Sequence, residues 1–194
     1  RFIQKYKYIL SSLGLILFLI WFFCLPKVLF EDPTSTVLLD KEGNLLAASI
    51  AEDGQWRFPY NPEVPEKFEK AIIQFEDRSF KSHWGVSIKG LARATYQNLS
   101  SGEKVSGGST ITMQLMRMSR KGKSRTVWQK VVEIFWATRA EWRYNKAEIL
   151  ALYASNAPMG GNVVGLDAAA WRYFGRPAEQ LSWAETATLA VLPN

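Results

Sequence analysis

The feature that most constrains this chain is an apolar run near its N-terminus that contains no charged residue. The run covers residues 9–26, and residues 28–30 continue it beyond Lys27. Its length is close to the ~20 residues that a helix needs to cross the hydrocarbon core of a bilayer. A cleaved signal peptide has a shorter apolar core and a small-residue cleavage site, which the segment LPKVLFEDP lacks. The sequence therefore predicts one uncleaved transmembrane helix, with an anchor over residues 9–30.

The charges on either side of the run predict its orientation. Three basic residues precede it within residues 1–8, whereas Glu31 and Asp32 follow it. Basic residues favour the cytoplasmic side of a membrane. We therefore expect residues 1–8 to be the cytoplasmic tail of a single-pass protein of the plasma (inner) membrane. The rest of the chain would then lie on the periplasmic or extracellular side.

The net charge of the chain does not indicate a nucleic-acid partner. The chain has 24 Lys and Arg residues against 18 Asp and Glu residues, for a formal net charge of +6. Four of the basic residues flank the apolar run, and the rest of the chain carries 20 basic against 18 acidic residues, or +2. The excess is thus mostly a signal of membrane topology, and no nucleic acid is expected to bind. Cys24 is the single cysteine, so neither an internal disulfide nor a cysteine metal site is expected.

Beyond the apolar run, the pattern predicts a short β region followed by helices. Residues 35–49 contain two β-favouring runs, TVLL and LLAAS, around a turn that includes Gly43. Residues 61–65 are expected to form a loop with two prolines, after which strands give way to helices for the rest of the chain. We therefore expect a β-hairpin and linker region over residues 31–60 and a mainly α domain over residues 61–194. The final residues, LAVLPN, still follow a helical apolar pattern, so we expect the domain to be truncated there.

The segment EDRSFKSHWG places two adjacent carboxylates, an arginine and the only histidine of the chain within ten residues. Apolar residues precede it at helical spacing, and Pro65 suits the first turn of that helix. Glu76 is therefore expected near the C-terminal end of a helix with one buried face, a position that suits a general base. The structural alternative is an ordinary solvated pair of Glu76 and Asp77 beside Arg78.

An amphipathic stripe follows this segment. Val86, Ile88, Leu91 and Tyr96 recur among basic residues. Membrane contact and packing against a core both explain such a stripe, and the nearby anchor favours membrane contact.

Two glycines introduce a second candidate binding segment. Gly107 and Gly108 precede Ser109 and Thr110, which predicts a tight turn that enters a helix with Ser109 or Thr110 as the N-cap. The NH groups of such a junction can bind an anion, although a simple helix start explains the same pattern. Seven basic residues and no acidic residue lie within residues 104–132. In a domain that is otherwise nearly balanced, this block predicts a positive patch.

Glu133 lies in a mostly apolar helical pattern. A buried carboxylate needs a cationic partner, so a structural salt bridge is an alternative to a functional role for this residue. Shorter helical patterns follow over residues 146–153, 168–174 and 182–192.

Four ordered motifs make the sequence similar to a known family. They are Glu76-Asp77-Arg78 with Phe80, His83 and Gly85; GGSTITMQ at 107–114; QKVVE at 129–133; and the stretch from Lys146 to Tyr153. In this order and at this spacing they resemble the family 51 peptidoglycan glycosyltransferases. Residues 35–59 are most similar to the penicillin-binding protein 1C branch of the class A penicillin-binding proteins. The resemblance implies a lysozyme-like helical glycosyltransferase domain in the N-terminal part of such a protein.

The resemblance implies a transferase that polymerises lipid II into β-1,4 glycan strands with inversion and releases undecaprenyl diphosphate. Such a transfer needs a base for the acceptor 4-hydroxyl and cations for the departing diphosphate. Glu76 matches the catalytic base of the family, and Glu133 matches its second glutamate. The implied substrate-binding residues are Ser109, Thr110, Gln114, Arg117, Arg125 and Lys130, of which the two arginines fall on diphosphate-contacting positions. The residues implied to hold the motif in its conformation are Asp77, Arg78, His83 and Gly85.

The implied chemistry requires no cofactor. The sequence has no cluster of histidine, cysteine and aspartate that would hold a metal, although a divalent cation could accompany the diphosphate. The implied partners are lipid II and the growing glycan chain, membrane lipids, moenomycin-type inhibitors and other cell-wall synthesis proteins.

The fourth motif departs from the family pattern. The family sequence ILELYLN reads ILALYAS here, so Ala151 replaces a glutamate and Ser155 replaces an asparagine. The departure concerns local packing and contacts to the donor substrate, not Glu76 or Glu133.

Two other functions are consistent with parts of the pattern. A lytic glycoside hydrolase also pairs a glutamate with a helical scaffold, but it has no diphosphate to neutralise and hence no need for the basic block. A non-catalytic, membrane-anchored cell-wall scaffold could use the basic face for binding alone, but it would not need both Glu76 and Glu133.

Overall fold

A computed structural model describes residues 2–103, 107–121 and 126–193 of the chain. These residues form eight α-helices and four short strands, which confirms the expected mainly helical fold. The helices are α1 (Phe2–Phe22), α2 (Glu66–Glu76), α3 (Ile88–Ser101), α4 (Ile111–Ser119), α5 (Val127–Arg143), α6 (Lys146–Asn156), α7 (Leu166–Phe174) and α8 (Trp183–Val191). The strands are β1 (Val37–Leu39), β2 (Leu45–Ala48), β3 (Trp56–Arg57) and β4 (Val163–Val164).

Helix α4 lies at the centre of the hydrophobic core. Its residues Ile111, Met113 and Leu115 are completely buried. The helix packs against α5 and α6, while α2 packs against α8. Among the described residues, Ala137 and Ala140 are the buried apolar residues of α5 at this core. Small side chains at a helix contact allow the helix axes to approach closely. The helix that follows Gly107 and Gly108 is therefore the innermost helix of the described part of the domain.

The predicted β-hairpin is present. Strands β1 and β2 pair antiparallel, and Gly43 in the turn has a φ of 85°. Asp40 stabilises the turn because its carboxylate accepts hydrogen bonds from the backbone NH groups of Glu42 (2.9 Å) and Asn44 (2.7 Å).

The prediction that only helices follow residue 65 is wrong, because β4 lies between α6 and α7. Strand β4 pairs in parallel with β3, with Trp56 opposite Val163. The NH of Trp56 also donates to the carbonyl of Asn162 at 2.7 Å. This pairing satisfies backbone groups that the connection between the two helices would otherwise leave without partners. A two-residue strand has no periodicity that a sequence pattern could reveal.

The anchor predicted over residues 9–30 is not confirmed. Helix α1 ends at Phe22, and Pro26 restricts the residue before it to extended conformations, which ends helical structure well before residue 30. In the ranges that the structure describes, no helix has both the length and the apolar character needed to cross a membrane.

The C-terminal end of α1 packs on α5. The indole NH of Trp21 donates to Oγ1 of Thr138 at 3.0 Å, and Nε of Arg139 donates to the carbonyl of Phe22 at 2.9 Å. One turn further along α5, Nη1 of Arg143 donates to the carbonyl of Pro26 at 2.6 Å. Arginines from α5 thus satisfy carbonyl groups that the end of a helix and the following turn leave without partners.

Three tryptophans link the end of α1 to the segment that precedes α3. Trp142 makes edge-to-face contacts with Trp21, at 5.8 Å between ring centroids, and with Trp84, at 6.1 Å. Trp84 and Trp142 remain 64% and 58% exposed. The amphipathic stripe begins just after Trp84 in the chain, and its residues Ile88 and Tyr96, both on α3, are 80% and 74% exposed. These two residues therefore do not pack into the core, whereas Val86 of the same stripe packs against it. Membrane contact of the exposed part of the stripe stays a prediction.

Candidate active site

A cleft of about 780 Å³ opens where α2 ends and where α3 and α4 begin. Its lining includes Glu76, His83, Ser109 and Thr110, which come from two separate sequence motifs. The two motifs meet at helix ends, because Glu76 is the last residue of α2 and Thr110 is the N-cap of α4.

Glu76 is held by one of its two carboxylate oxygens. Nε2 of Gln114, on the buried helix α4, donates to Oε2 of Glu76 at 2.5 Å. Oε1 of Glu76 is shielded from solvent and has no hydrogen-bond partner among the described residues. Because a buried polar atom without a partner is costly, this oxygen is the one that a ligand in the cleft would satisfy.

Asp77 joins the end of α2 to the start of α4. Its Oδ2 lies 2.8 Å from Nε2 of His83 and accepts a hydrogen bond from the NH of Ile111 at 3.2 Å. Its side chain is only 4% exposed. The carboxylate therefore lies at the positive N-terminal end of α4, where a negative charge is favoured. The role of Asp77 and His83 in holding the motif stays a prediction, and these are the contacts through which they would act.

Gly85 and Thr110 bring the loop after α2 against α4 and α5. Oγ1 of Thr110 donates to the carbonyl of Gly85 at 2.5 Å and accepts from the NH of Met113 at 3.1 Å. Gly85 has a φ of 78°, and a Cβ added there would lie 2.7 Å from the carbonyl oxygen of Ala137. Only glycine fits, because both the left-handed backbone and the contact with α5 exclude a side chain.

Glu133 connects to the cleft through Lys130 and Ser109. Nζ of Lys130 lies 3.2 Å from Oε2 of Glu133 and also donates to Oγ of Ser109, which lines the cleft. The side chain of Glu133 is 9% exposed, and Lys130 is the cationic partner that a buried carboxylate needs. Neither Lys130 nor Glu133 lines the cleft directly. The ion pair and the link to Ser109 leave both the structural and the functional interpretation open to experiment.

A second buried ion pair was not predicted from the sequence. Nζ of Lys146 lies 2.7 Å from Oε1 of Glu141 and donates to the carbonyl of His83 at 2.7 Å. The same Glu141 oxygen accepts from Oγ1 of Thr112 at 2.6 Å. These contacts join α4, α5 and α6 to the histidine segment. The available signal was Glu141 itself, an acidic residue eight positions after Glu133 on the same mostly apolar helix.

Tyr153 is a further residue of the site that sequence reasoning did not assign. Its side chain is completely buried, and its hydroxyl donates to Oε1 of Gln114 at 3.3 Å. Burial raises the pKa of the Tyr153 phenol well above its ordinary value, the charge of Glu76 raises it further, and the charge of Arg117 opposes the change. Arg117 is therefore close enough to influence the same group as Glu76.

The remaining predicted residues differ in their surroundings. Arg78 is exposed at the edge of the cleft, where its Nε donates to the carbonyl of Gln74 at 3.3 Å. Arg125 lies outside the described residues. Two basic residues of α3 that were assigned no role, Lys89 and Arg93, also line the cleft. The polar side of the amphipathic stripe was the signal that could have identified them.

The described residues contain no group of three or more histidine, cysteine, aspartate or glutamate side chains that could hold a metal ion. The cleft lining combines two carboxylates with several basic side chains. Such a lining is suited to proton transfer next to a bound anion.

Comparison with known proteins identifies the family. The family described as Transglycosylase matches residues 42–194, a range that includes every residue of the cleft. This chain belongs to the transglycosylase family. The family predicted from the four motifs is thereby confirmed.

Several penicillin-binding proteins are similar to this transglycosylase chain. Penicillin-binding protein 1C of Escherichia coli (strain K12) is 40% identical over 170 residues, which cover 87% of this chain and 22% of that protein. Penicillin-binding protein 1A of Pseudomonas aeruginosa is 40% identical over 132 residues, or 68% of this chain and 16% of that protein. Penicillin-binding protein 1F of Bacillus subtilis is 33% identical over 161 residues, or 82% and 22%. The chain therefore spans about a fifth of the length of the curated relatives that it matches.

Proposed function

We propose that this transglycosylase chain is a peptidoglycan glycosyltransferase that polymerises lipid II into β-1,4 glycan strands and releases undecaprenyl diphosphate. The observation that carries the proposal is the carboxylate of Glu76. Gln114 holds Oε2, while Oε1 is shielded from solvent and has no hydrogen-bond partner among the described residues. A substrate hydroxyl that enters the adjacent cleft supplies the missing partner and gives up its proton to Oε1.

In the proposed reaction, Glu76 is the only protein group that changes its protonation state. The acceptor 4-hydroxyl loses its proton to Oε1 of Glu76 as its oxygen forms a bond to the anomeric carbon of the donor sugar. The bond from that carbon to the diphosphate oxygen breaks with inversion, and the diphosphate leaves with the electron pair. Glu76 then returns its proton to solvent.

The leaving diphosphate gains negative charge in the transition state, so cations near it lower the barrier. Lys130 donates to Ser109 at the edge of the cleft, next to the N-terminus of α4. A helix N-terminus and an ammonium group both favour an anion. We propose that these groups, together with Arg117 and Arg125, stabilise the diphosphate, and that Glu133 orients Lys130.

We further propose that the chain acts at the outer surface of the plasma membrane. Its proposed substrate carries a long lipid chain, and aromatic side chains suited to a membrane interface are exposed next to the catalytic segment. Trp84 and Trp142 are both more than half exposed, and Phe23, just beyond α1, is 73% exposed. The basic residues that precede the apolar run, all within residues 1–8, support the periplasmic or extracellular side for the rest of the chain.

Partners that resemble the substrate belong to the same proposal. A moenomycin-type phosphoglycolipid would compete for the groups that bind the diphosphate. A divalent cation carried by the diphosphate and contacts with other cell-wall synthesis proteins stay predictions.

The test is Glu76→Gln, assayed with labelled lipid II. The substitution keeps the size of the side chain but removes the base, so glycan synthesis should fall by at least ~100-fold while the melting temperature stays near that of the wild type. Glu69→Gln is the matched control, because Glu69 lies on the same helix and pairs with Lys81 away from the cleft. It should keep wild-type activity.

Three outcomes contradict the proposal. Near-wild-type synthesis by Glu76→Gln would remove Glu76 as the base. Digestion of preformed glycan without synthesis from lipid II would indicate a hydrolase. Binding of lipid II by the wild type with neither activity would indicate a scaffold.

A further inference from the structure

We propose that Tyr153 is a positioning residue for the catalytic base: its hydroxyl fixes the amide of Gln114, and the amide in turn fixes the carboxylate of Glu76. The inference rests on the proposed function, because it assigns Tyr153 a role in that reaction. Tyr153 does not touch the substrate in this arrangement.

The three side chains form a continuous hydrogen-bonded series across three helices. The hydroxyl of Tyr153 on α6 donates to Oε1 of Gln114 at 3.3 Å, and Nε2 of Gln114 on α4 donates to Oε2 of Glu76 at 2.5 Å. Tyr153 is completely buried, and Gln114 is 7% exposed. Solvent therefore cannot replace either partner of the amide.

The direction of each hydrogen bond follows from the chemistry of the groups. An ionised carboxylate only accepts, so the NH₂ group of Gln114 must face Glu76. The amide oxygen then faces Tyr153, which must donate. Burial and the nearby charge of Glu76 raise the pKa of the Tyr153 phenol well above its ordinary value, so the phenol keeps its proton over the working pH range of the enzyme.

The series fixes which oxygen of Glu76 receives the proton. With its carbonyl oxygen bound by Tyr153, the amide of Gln114 cannot turn about its side-chain bonds, and its NH₂ group stays on Oε2. Oε1 is then the oxygen without a protein partner in the described part of the chain, and it keeps one orientation. A base held within a fraction of an ångström of its reacting position is far more effective than a mobile one.

Packing of the tyrosine ring alone makes a different prediction. If Tyr153 only fills space in the core, its ring matters and its hydroxyl does not. The substitution Tyr153→Phe separates the two, because it keeps the ring and removes the donor.

The experiment compares Tyr153→Phe with the wild type in steady-state assays on lipid II across a pH series. We expect kcat to fall by ~10- to 100-fold while KM changes by less than ~3-fold, since the amide acts on the base and not on substrate binding. The acidic limb of the kcat/KM profile should move to higher pH, because a carboxylate with a loosened hydrogen-bond donor is protonated more readily.

Tyr173→Phe is the matched control. The Tyr173 hydroxyl also donates to protein oxygens, the carbonyls of Met159 (2.9 Å) and Gly160 (3.2 Å). Neither carbonyl belongs to the hydrogen-bonded series that ends at Glu76. Its loss should leave kcat and the pH profile unchanged. In a Gln114→Leu background, Tyr153→Phe should cause no further loss of kcat, because the group through which it acts is gone.

Two results overturn the inference. One is wild-type kcat and an unmoved acidic limb in Tyr153→Phe. The other is a loss of kcat in Tyr153→Phe that accompanies a lower melting temperature and adds fully to the loss of kcat caused by Gln114→Leu. Such a result would indicate a purely structural role. Failure of the proposed function is distinguishable, because it appears as activity in Glu76→Gln or as a wild type that makes no glycan from lipid II. An inactive Glu76→Gln beside a fully active Tyr153→Phe rejects only the role of Tyr153.

Discussion

At the residue scale, two buried glutamates on α5 differ in what their partners contact. Glu133 pairs with Lys130, and that lysine also binds Ser109 at the cleft. Glu141 pairs with Lys146 inside the fold, where its side chain is 4% exposed. The first pair is connected to the cleft through Ser109, whereas the second links helices to one another. Comparing the two pairs therefore tests whether Glu133 has a function that Glu141 lacks.

We predict that Glu133→Gln lowers glycan synthesis by ~10- to 100-fold with little change in melting temperature. The amide keeps the shape of the side chain but no longer fixes the ammonium group of Lys130 beside Ser109, so stabilisation of the leaving group is lost. The measurement is synthesis from lipid II alongside thermal unfolding.

Glu141→Gln is the matched comparison for this prediction. It removes one partner of a buried ion pair, which typically costs ~3–5 kcal/mol of stability, so it should lower the melting temperature. If Glu133→Gln loses stability to the same extent and regains activity at lower temperature, the Glu133 pair is structural.

At the scale of elements, the site depends on how closely the loop after α2 approaches α5. Gly85 lies at the point of contact, where no Cβ fits against the carbonyl of Ala137. The hydroxyl of Thr110 binds the carbonyl of Gly85, so the same contact is coupled to the N-cap of α4. A change at Gly85 therefore acts both on α5 and on the N-cap of α4, where Thr110 lines the cleft.

We predict that Gly85→Ala destabilises the chain by ~1–3 kcal/mol more than Gly102→Ala, the additional cost of overpacking. Both glycines have a positive φ, 78° and 70°, but Gly102 has open space around it. Their difference therefore isolates the contact with α5 from the cost of the left-handed backbone. The measurement is denaturant unfolding of both variants, and equal losses would show that the contact contributes nothing.

Local signals explain which elements could be predicted from the sequence. Pro65 and the apolar period before Glu76 indicated α2, and the glycine pair before Thr110 indicated the N-cap of α4. Strand β4 and the role of Tyr153 depend on partners about one hundred and about forty residues away, respectively, and no local pattern records such pairings. The anchor was predicted from the length of an uncharged apolar run without a cleavage site, and these signals take no account of the restriction that Pro26 imposes on the helix.

At the scale of the whole molecule, α1 is fixed to the domain by polar contacts at its end. Arg139 donates to the carbonyl of Phe22 and lies over the Phe22 ring at 4.8 Å. The indole NH of Trp21 donates to Thr138, which lies next to Arg139 on α5. These contacts determine the direction in which α1 leaves the catalytic domain.

We predict that Arg139→Leu releases the end of α1 and exposes the segment after it. Loss of a charge-assisted hydrogen bond of ~1–2 kcal/mol should raise the rate of tryptic cleavage after Lys27 by roughly 5- to 30-fold. Arg172→Leu is the control, because Arg172 lies over the Trp56 ring, at 5.3 Å, and not over a ring of α1. Equal cleavage rates in the two variants would show that Arg139 does not hold α1.

The packing of α1 on α5 also fixes the distance between Glu133 and the end of α1. Thr138 contacts the end of α1, and Glu133 lies five residues earlier on the same helix. With a rise of ~1.5 Å per residue, the two positions are separated by only about 7.5 Å along the helix axis. Helix α5 therefore holds the ion pair of Glu133 and Lys130 at one height relative to the end of α1. Under the proposed function, the leaving diphosphate is stabilised at that height whatever the length of the glycan strand already made.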